Sequence, residues 1–134
     1  MRVLLLLAPL LFTVHAADWR QFRGPNGSGL STETGLPVEM SPTKNLVWKT
    51  TLPGGYSSPV VTANRIFLTA REDDILYTFC LDRATGKELW RREGGRTPVP
   101  KPKPARIPAA PTPVTDGANV YVVFDEFGLI SYDA

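Results

Sequence analysis

Short runs of apolar and β-branched residues alternate with turn-forming residues over most of this chain, from residue 46 onward. Runs of Val, Ile, Thr, Phe and Tyr bounded by Gly, Pro, Asn and Asp are typical of β-strands joined by turns. We predict no helix after residue 16, so the pattern indicates an all-β fold. The predicted strands cover residues 46–52, 57–62, 65–70, 75–82, 87–93, 112–115, 119–124 and 129–133.

The predicted strands do not alternate cleanly between apolar and polar positions. Residues 66–68 and 120–124 are apolar at successive positions, so both faces of these strands carry apolar side chains. A sheet with one face in water would alternate instead. Strands that are buried on both faces need a neighbouring sheet on each side, which is the arrangement of blades in a β-propeller.

The chain also contains an internal repeat, in which the segment beginning at Ser58 matches the segment beginning at Thr112. The matched segments are 58–60 with 112–114, 66–68 with 120–122 and, after a deletion of three residues, 80–82 with 131–133. An upstream partial copy, residues 46–49, matches residues 88–91. Repeat units bury their faces only against neighbouring units, so we expect this chain to be the N-terminal part of a longer protein.

The repeats and the composition together predict how the chain is organised. Residues 46–134 are expected to form a partial propeller with about one complete blade and parts of two others. The predicted segments are a signal peptide at 1–16, an N-terminal loop at 17–45, the outer strand of a closing blade at 46–52, a first blade at 57–93, a Pro-rich basic inter-blade loop at 94–111 and an incomplete second blade at 112–134.

The most informative motif runs from Cys80 to Trp90 and predicts two strands joined by a tight turn. The carboxylate of Asp82 can accept hydrogen bonds from backbone N–H groups that follow it, as in an Asx turn. The hydroxyl of Thr85 can support the same turn, and Gly86 can supply a positive φ. Trp90 then presents a large flat side chain that a neighbouring unit could cover.

This Asp-x-x-Thr-Gly-x-x-x-Trp spacing resembles the tryptophan-docking repeat of the pyrroloquinoline-quinone-type β-propellers, in which a small residue usually stands at the place of Cys80. The resemblance implies an all-β propeller of four-stranded antiparallel blades. The start of the loop segment, Asp18 to Pro25, followed by residues 35–37, is similar to the start of many exported members of this family. We expect Trp19 and Phe22 in this segment to pack onto a surface.

Residues 1–16 have the pattern of a secretory signal peptide. A positive start at Arg2 is followed by an apolar run, and small or tolerated residues stand at Val14 and Ala16, so we predict cleavage after Ala16. A membrane anchor is disfavoured because a spanning helix needs about 20 apolar residues. The expected location is periplasmic or secreted, with no stable membrane span after cleavage.

Composition excludes several kinds of site. Without Arg2 the chain carries one more basic than acidic side chain, a balance that argues against a nucleic-acid binder. The single histidine, His15, lies in the predicted signal peptide, which removes histidine-based nucleophilic catalysis and most zinc sites. The single cysteine, Cys80, cannot form an internal disulfide, and we interpret it as a small buried apolar residue.

Charged clusters in the predicted loops have two interpretations each. The loop at 94–111 is either a solvated inter-blade connection, which we favour, or a site for anions or partner proteins. The acidic pairs Asp73-Asp74 and Asp125-Glu126 either form hairpin turns, which we favour, or bind calcium.

The resemblance leaves two functions open. One branch of the family contains non-catalytic exported propellers, including scaffold-like proteins and the propeller lipoprotein of the outer-membrane assembly machine, and we favour this branch with protein partners bound through propeller loops. The alternative is the start of an alcohol or sugar dehydrogenase that uses pyrroloquinoline quinone and calcium. We lean against an enzyme and assign no catalytic, cofactor-binding or metal-binding residue. A structural role is assigned to Cys80, Asp82, Thr85, Gly86 and Trp90.

Overall fold

The computed structural model describes residues 17–96, 111–125 and 127–134. The predicted signal peptide, most of the predicted Pro-rich loop and Glu126 therefore lie outside the described residues. The described chain forms two antiparallel sheets of four and three strands. The strands are β1 (Val60–Val61), β2 (Arg65–Glu72), β3 (Ile75–Asp82), β4 (Glu88–Arg96), β5 (Val114–Thr115), β6 (Asn119–Phe124) and β7 (Gly128–Asp133).

The predicted all-β class is confirmed, because the helical structure in the described residues amounts to one 3-10 turn at Pro25–Gly27. Each sheet is a simple meander, with strand orders β1-β2-β3-β4 and β5-β6-β7. The hairpin between β2 and β3 has the two-residue turn Asp73-Asp74, in which Asp73 adopts φ 54°. The observed bounds of β3 and β6 are those predicted from the sequence.

The two sheets pack face to face around one apolar cluster, the inter-sheet core. Side chains of Phe67, Leu76 and Cys80 on the first sheet meet those of Val122 and Phe124 on the second, and all five are almost fully buried. Each fully buried side chain of this size stabilises the fold by about 1.5–3 kcal/mol.

The opposite face of the first sheet is buried as well. Successive side chains of a strand point to opposite faces, so Phe79 and Leu81 lie on the side of β3 that turns away from the inter-sheet core. Both are at most 2% exposed, as is Ala70 on β2. Burial on both faces explains why the sequence of β2 and β3 lacks clean alternation.

One predicted strand is absent. Residues 46–52 were expected to be the outer strand of a closing blade, but they form no strand in the structure. A β-strand needs a neighbouring strand to which its backbone can hydrogen-bond. Within the described residues, this segment pairs with no such strand. Its Trp48 and Thr50 side chains instead hydrogen-bond to backbone carbonyls after β3.

The segment 17–45 forms loops and turns, and its first residues join both sheets. The backbone N–H and C=O of Trp19 both pair with Val61 of β1, with N···O distances of 2.7 and 2.8 Å. The carbonyl of Arg20 accepts a hydrogen bond from Thr115 N of β5 at 3.0 Å. The expectation that Phe22 packs onto a surface is wrong, because this side chain is 59% exposed.

Candidate functional site

The turn between β3 and β4, residues 82–87, is the part of the repeat motif with the densest hydrogen bonding, and we call it the motif turn. One carboxylate oxygen of Asp82, Oδ1, accepts bonds from Thr85 N at 2.8 Å and from Thr85 Oγ1 at 2.6 Å. The carbonyl of Asp82 accepts a bond from Gly86 N at 2.8 Å. These donors favour the charged carboxylate, so the pKa of Asp82 lies below its ordinary value, mainly because of the Thr85 hydroxyl.

Gly86 completes the motif turn with φ 70°, a left-handed conformation that favours glycine. It also lies directly beneath the indole ring of Trp48. A Cβ atom built on Gly86 would stand 2.3 Å from Trp48 Cε3 and 2.7 Å from Thr50 Oγ1. Glycine is therefore required here for two reasons, the backbone conformation and the contact with the ring.

Trp48 is held on the motif turn by hydrogen bonds as well as by packing. Its indole Nε1 donates to Arg83 O at 2.9 Å, and the neighbouring Thr50 Oγ1 donates to Gly86 O at 2.7 Å. We did not select Trp48 as a site residue from the sequence. The signal was present, since residues 46–49 match residues 88–91 and thereby place Trp48 at the repeat position of Trp90.

Trp90 lies apart from the motif turn, on β4 opposite Cys80. Its ring centroid is 6.0 Å from that of Phe67 on the first sheet and 6.0 Å from that of Tyr132 on the second. The guanidinium of Arg92 lies 5.7 Å from the centre of the Trp90 ring. Trp48 and Trp90 thus make equivalent contacts, because each ring packs against residues that come after its own repeat in the sequence.

Cys80 is a fully buried thiol in the inter-sheet core. Burial raises its pKa to about 11, and the opposing influence of the Arg65 guanidinium is smaller. The thiol is therefore protonated at neutral pH, whereas a nucleophilic or metal-binding cysteine needs the thiolate.

The acidic residues at the sheet ends are engaged in turns and ion pairs. Asp74 lies 3.7 Å from the guanidinium of Arg96. Asp73 adopts the left-handed backbone conformation in the hairpin turn between β2 and β3. Asp125 follows β6, while its predicted partner Glu126 lies outside the described residues. In the described ranges, no three His, Cys, Asp or Glu side chains are grouped so that they could hold a metal ion.

A second polar centre, which sequence reasoning missed, lies in the turn between β5 and β6. The carboxylate of Asp116 accepts bonds from Asn119 N at 2.7 Å, Ala118 N at 2.8 Å and Tyr121 Oη at 2.9 Å. These bonds, those from the two backbone N–H groups above all, lower the pKa of Asp116 to about 2. Arg20 Nη1 donates to Asp116 O at 2.8 Å and so ties the N-terminal segment to this turn.

Two clefts border these polar centres. One, of about 330 Å³, is lined by Ala63 and Asn64 and by three residues of β3 and the motif turn, Asp82, Arg83 and Ala84. The other, of about 410 Å³, is lined by residues of the N-terminal segment, including Asp18 and Arg20. The carboxylates in these clefts already accept bonds, from Thr85 in one case and from Arg20 in the other.

Comparison with known proteins identifies the family of the chain. Residues 29–134 match the family model described as outer membrane protein assembly factor BamB, which contains the pyrroloquinoline-quinone-like repeat. A search of curated proteins and a search of solved structures found no match. The matched range includes both sheets, the motif turn and Trp48.

Proposed function

We propose a function from the premise that this chain belongs to the BamB-like family of pyrroloquinoline-quinone-like repeats. The chain is part of an exported β-propeller that serves as a scaffold or protein-interaction module. The family description names an outer membrane protein assembly factor. For this chain, we propose that the partners are proteins and that they bind through loops at the ends of the sheets.

This proposal rests on the contacts that the residues of the repeat motif make in the structure. Asp82, Thr85 and Gly86 are engaged in the motif turn and in supporting Trp48, while Cys80 and Trp90 pack between the sheets. Side chains that are already bonded to backbone or packed against aromatic rings are positioned to hold sheets together. This arrangement supports a rigid frame whose connecting loops are available for recognition.

The alternative, a quinone- and calcium-dependent dehydrogenase, requires acidic and amide ligands that converge on a cofactor. The described residues do not fit such a site. Asp74 is ion-paired with Arg96, and the carboxylates of Asp82 and Asp116 accept bonds within their own turns. Calcium ligands would have to give up these bonds, which are charge-assisted and therefore stronger than neutral ones.

Titration with pyrroloquinoline quinone distinguishes the two functions. The full-length protein is titrated with quinone, with and without calcium, while its absorption spectrum is recorded. We expect no saturable spectral change, and the apo form of a known quinoprotein serves as the positive control. Saturable binding at micromolar quinone, together with alcohol-dependent reduction of a dye, would establish the dehydrogenase instead.

Export is the second part of the proposal and rests on the sequence of residues 1–16. In the described part of the chain, no helix is long and apolar enough to cross a membrane. We expect protein expressed with its own leader to leave the cytoplasm, and N-terminal sequencing to begin Ala-Asp-Trp, at residue 17. Recovery from the cytoplasm with Met1 retained would contradict export.

A further inference from the structure

We propose that removal of the leader after Ala16 creates a charged α-ammonium group on Ala17 that forms an ion pair with Glu33. This pair anchors the start of a strap, residues 17–20, which binds both sheets. The inference rests on the proposed export, because that cleavage supplies the charged group. It assigns a role to proteolytic processing beyond transport, namely strengthening of the anchor at the start of the strap.

The site consists of the Ala17 nitrogen and the Glu33 carboxylate. Ala17 N donates to Glu33 Oε1 at 2.7 Å, across sixteen positions of the chain. Glu33 is itself held by a local turn in which its backbone N–H donates to Ser31 Oγ at 3.1 Å. In the uncleaved chain the donor at Ala17 is a neutral amide. Cleavage turns the same nitrogen into an ammonium group, so a Coulomb attraction between opposite charges is added to a hydrogen bond whose acceptor is already a carboxylate.

The residues that follow Ala17 explain why its position matters. Trp19 is paired with Val61 of β1 through both backbone groups, and Arg20 bonds to Thr115 and Asp116 at the end of β5. Three of the first four residues after the predicted cleavage point thus have long-range hydrogen bonds, and two of these residues bridge the sheets. An anchored first residue opposes fraying of the strap, to which chain termini are otherwise prone.

The charged side chains that follow Ala17 most closely in the chain are Asp18 and Arg20. Arg20 Nη2 lies 2.6 Å from Asp18 Oδ2, so these two side chains form their own ion pair. That pair is present whether or not Glu33 carries a charge. A comparison of the wild type with a Glu33 variant therefore isolates the contribution of Glu33 to the Ala17 amino group.

The test measures the pKa of the Ala17 amino group in full-length exported protein. Reductive methylation with ¹³C-formaldehyde labels this group, and its NMR signal is followed against pH. We expect Glu33→Gln to lower the pKa by about 0.2–0.7 unit, the shift expected for an exposed ion pair. The matched control is Glu39→Gln. Glu39 lies in the same loop, and its exposed carboxylate pairs with Lys44, so its removal should leave the pKa of the Ala17 amino group unchanged.

The response to salt gives a second measurement, because it compares the change of the Ala17 pKa within each protein. Because salt screens exposed pairs, 1 M NaCl should lower the pKa of the Ala17 amino group in the wild type more than in Glu33→Gln. N-terminal sequencing comes first, and a start other than Ala17 overturns export and the ion pair together. A start at Ala17 with the same pKa and the same salt response in both proteins overturns the ion pair and leaves export standing.

Discussion

Replacement of Gly86 by valine in the full-length protein is expected to lower the free energy of unfolding by about 2–6 kcal/mol. Two separate effects contribute. A β-branched residue at φ 70° strains the backbone, and its Cβ would stand 2.3 Å from the ring of Trp48. The ring cannot move aside without losing its hydrogen bond to Arg83 O. Denaturant melts monitored by circular dichroism measure the change.

Gly128→Val is the matched control for this substitution. Gly128 has φ 82°, but no atom lies within 4 Å of the position that a Cβ would take. This variant should therefore show backbone strain alone, about 1–3 kcal/mol. If Gly86→Val destabilises the protein no more than Gly128→Val, the ring of Trp48 does not pack against the motif turn and our account of that glycine is wrong.

Trp90→Ala is expected to lower the free energy of unfolding by about 3 kcal/mol, the lower end of the range for a large aromatic side chain. The lower end applies because Trp90 is half-buried, with one side against Phe67 and the other against Tyr132 of the second sheet. The cavity left by alanine would remove the aromatic contact between the sheets. The denaturation midpoint of the full-length protein is the measurement.

Leu89→Ala is the control for Trp90→Ala, because Leu89 is the adjacent residue of β4, has a side chain on the other face and is 48% exposed. It should change the free energy of unfolding by less than about 1 kcal/mol. A double-mutant cycle of Trp90→Ala with Tyr132→Ala should give a coupling of about 0.5–1.5 kcal/mol. An unchanged midpoint for Trp90→Ala would show that this ring does not connect the sheets.

The sequence predicted the individual sheets well, because the interactions that form them are local. Strand β3 and its turn illustrate this. An apolar run ends at Asp82, whose carboxylate bonds three residues ahead, and Gly86 follows with the conformation that the turn needs. Each of these features depends on residues within about ten positions of one another in the sequence. The apolar pattern and the turn-forming residues were therefore sufficient to predict them.

Sequence reasoning was less successful where partners are distant along the chain. Residues 46–52 have the composition of a strand, yet composition does not say whether a neighbouring strand is present. The repeat match marked Trp48 as equivalent to Trp90, but it did not say that the ring would rest on Gly86. The bond between Arg20 and Asp116 spans ninety-six positions and leaves no periodic signal.

The sequence by itself thus determined the all-β class, the repeat and the motif turn, because β-propensity, two-sided apolar patterning and glycine conformation are properties of short segments. Only the tertiary structure decided which tryptophan contacts which repeat, that Cys80 is a protonated thiol in a shared core, and that residues 17–20 bind both sheets. These features depend on surfaces brought together by folding, where burial sets the pKa of a thiol and packing selects the partner of a ring.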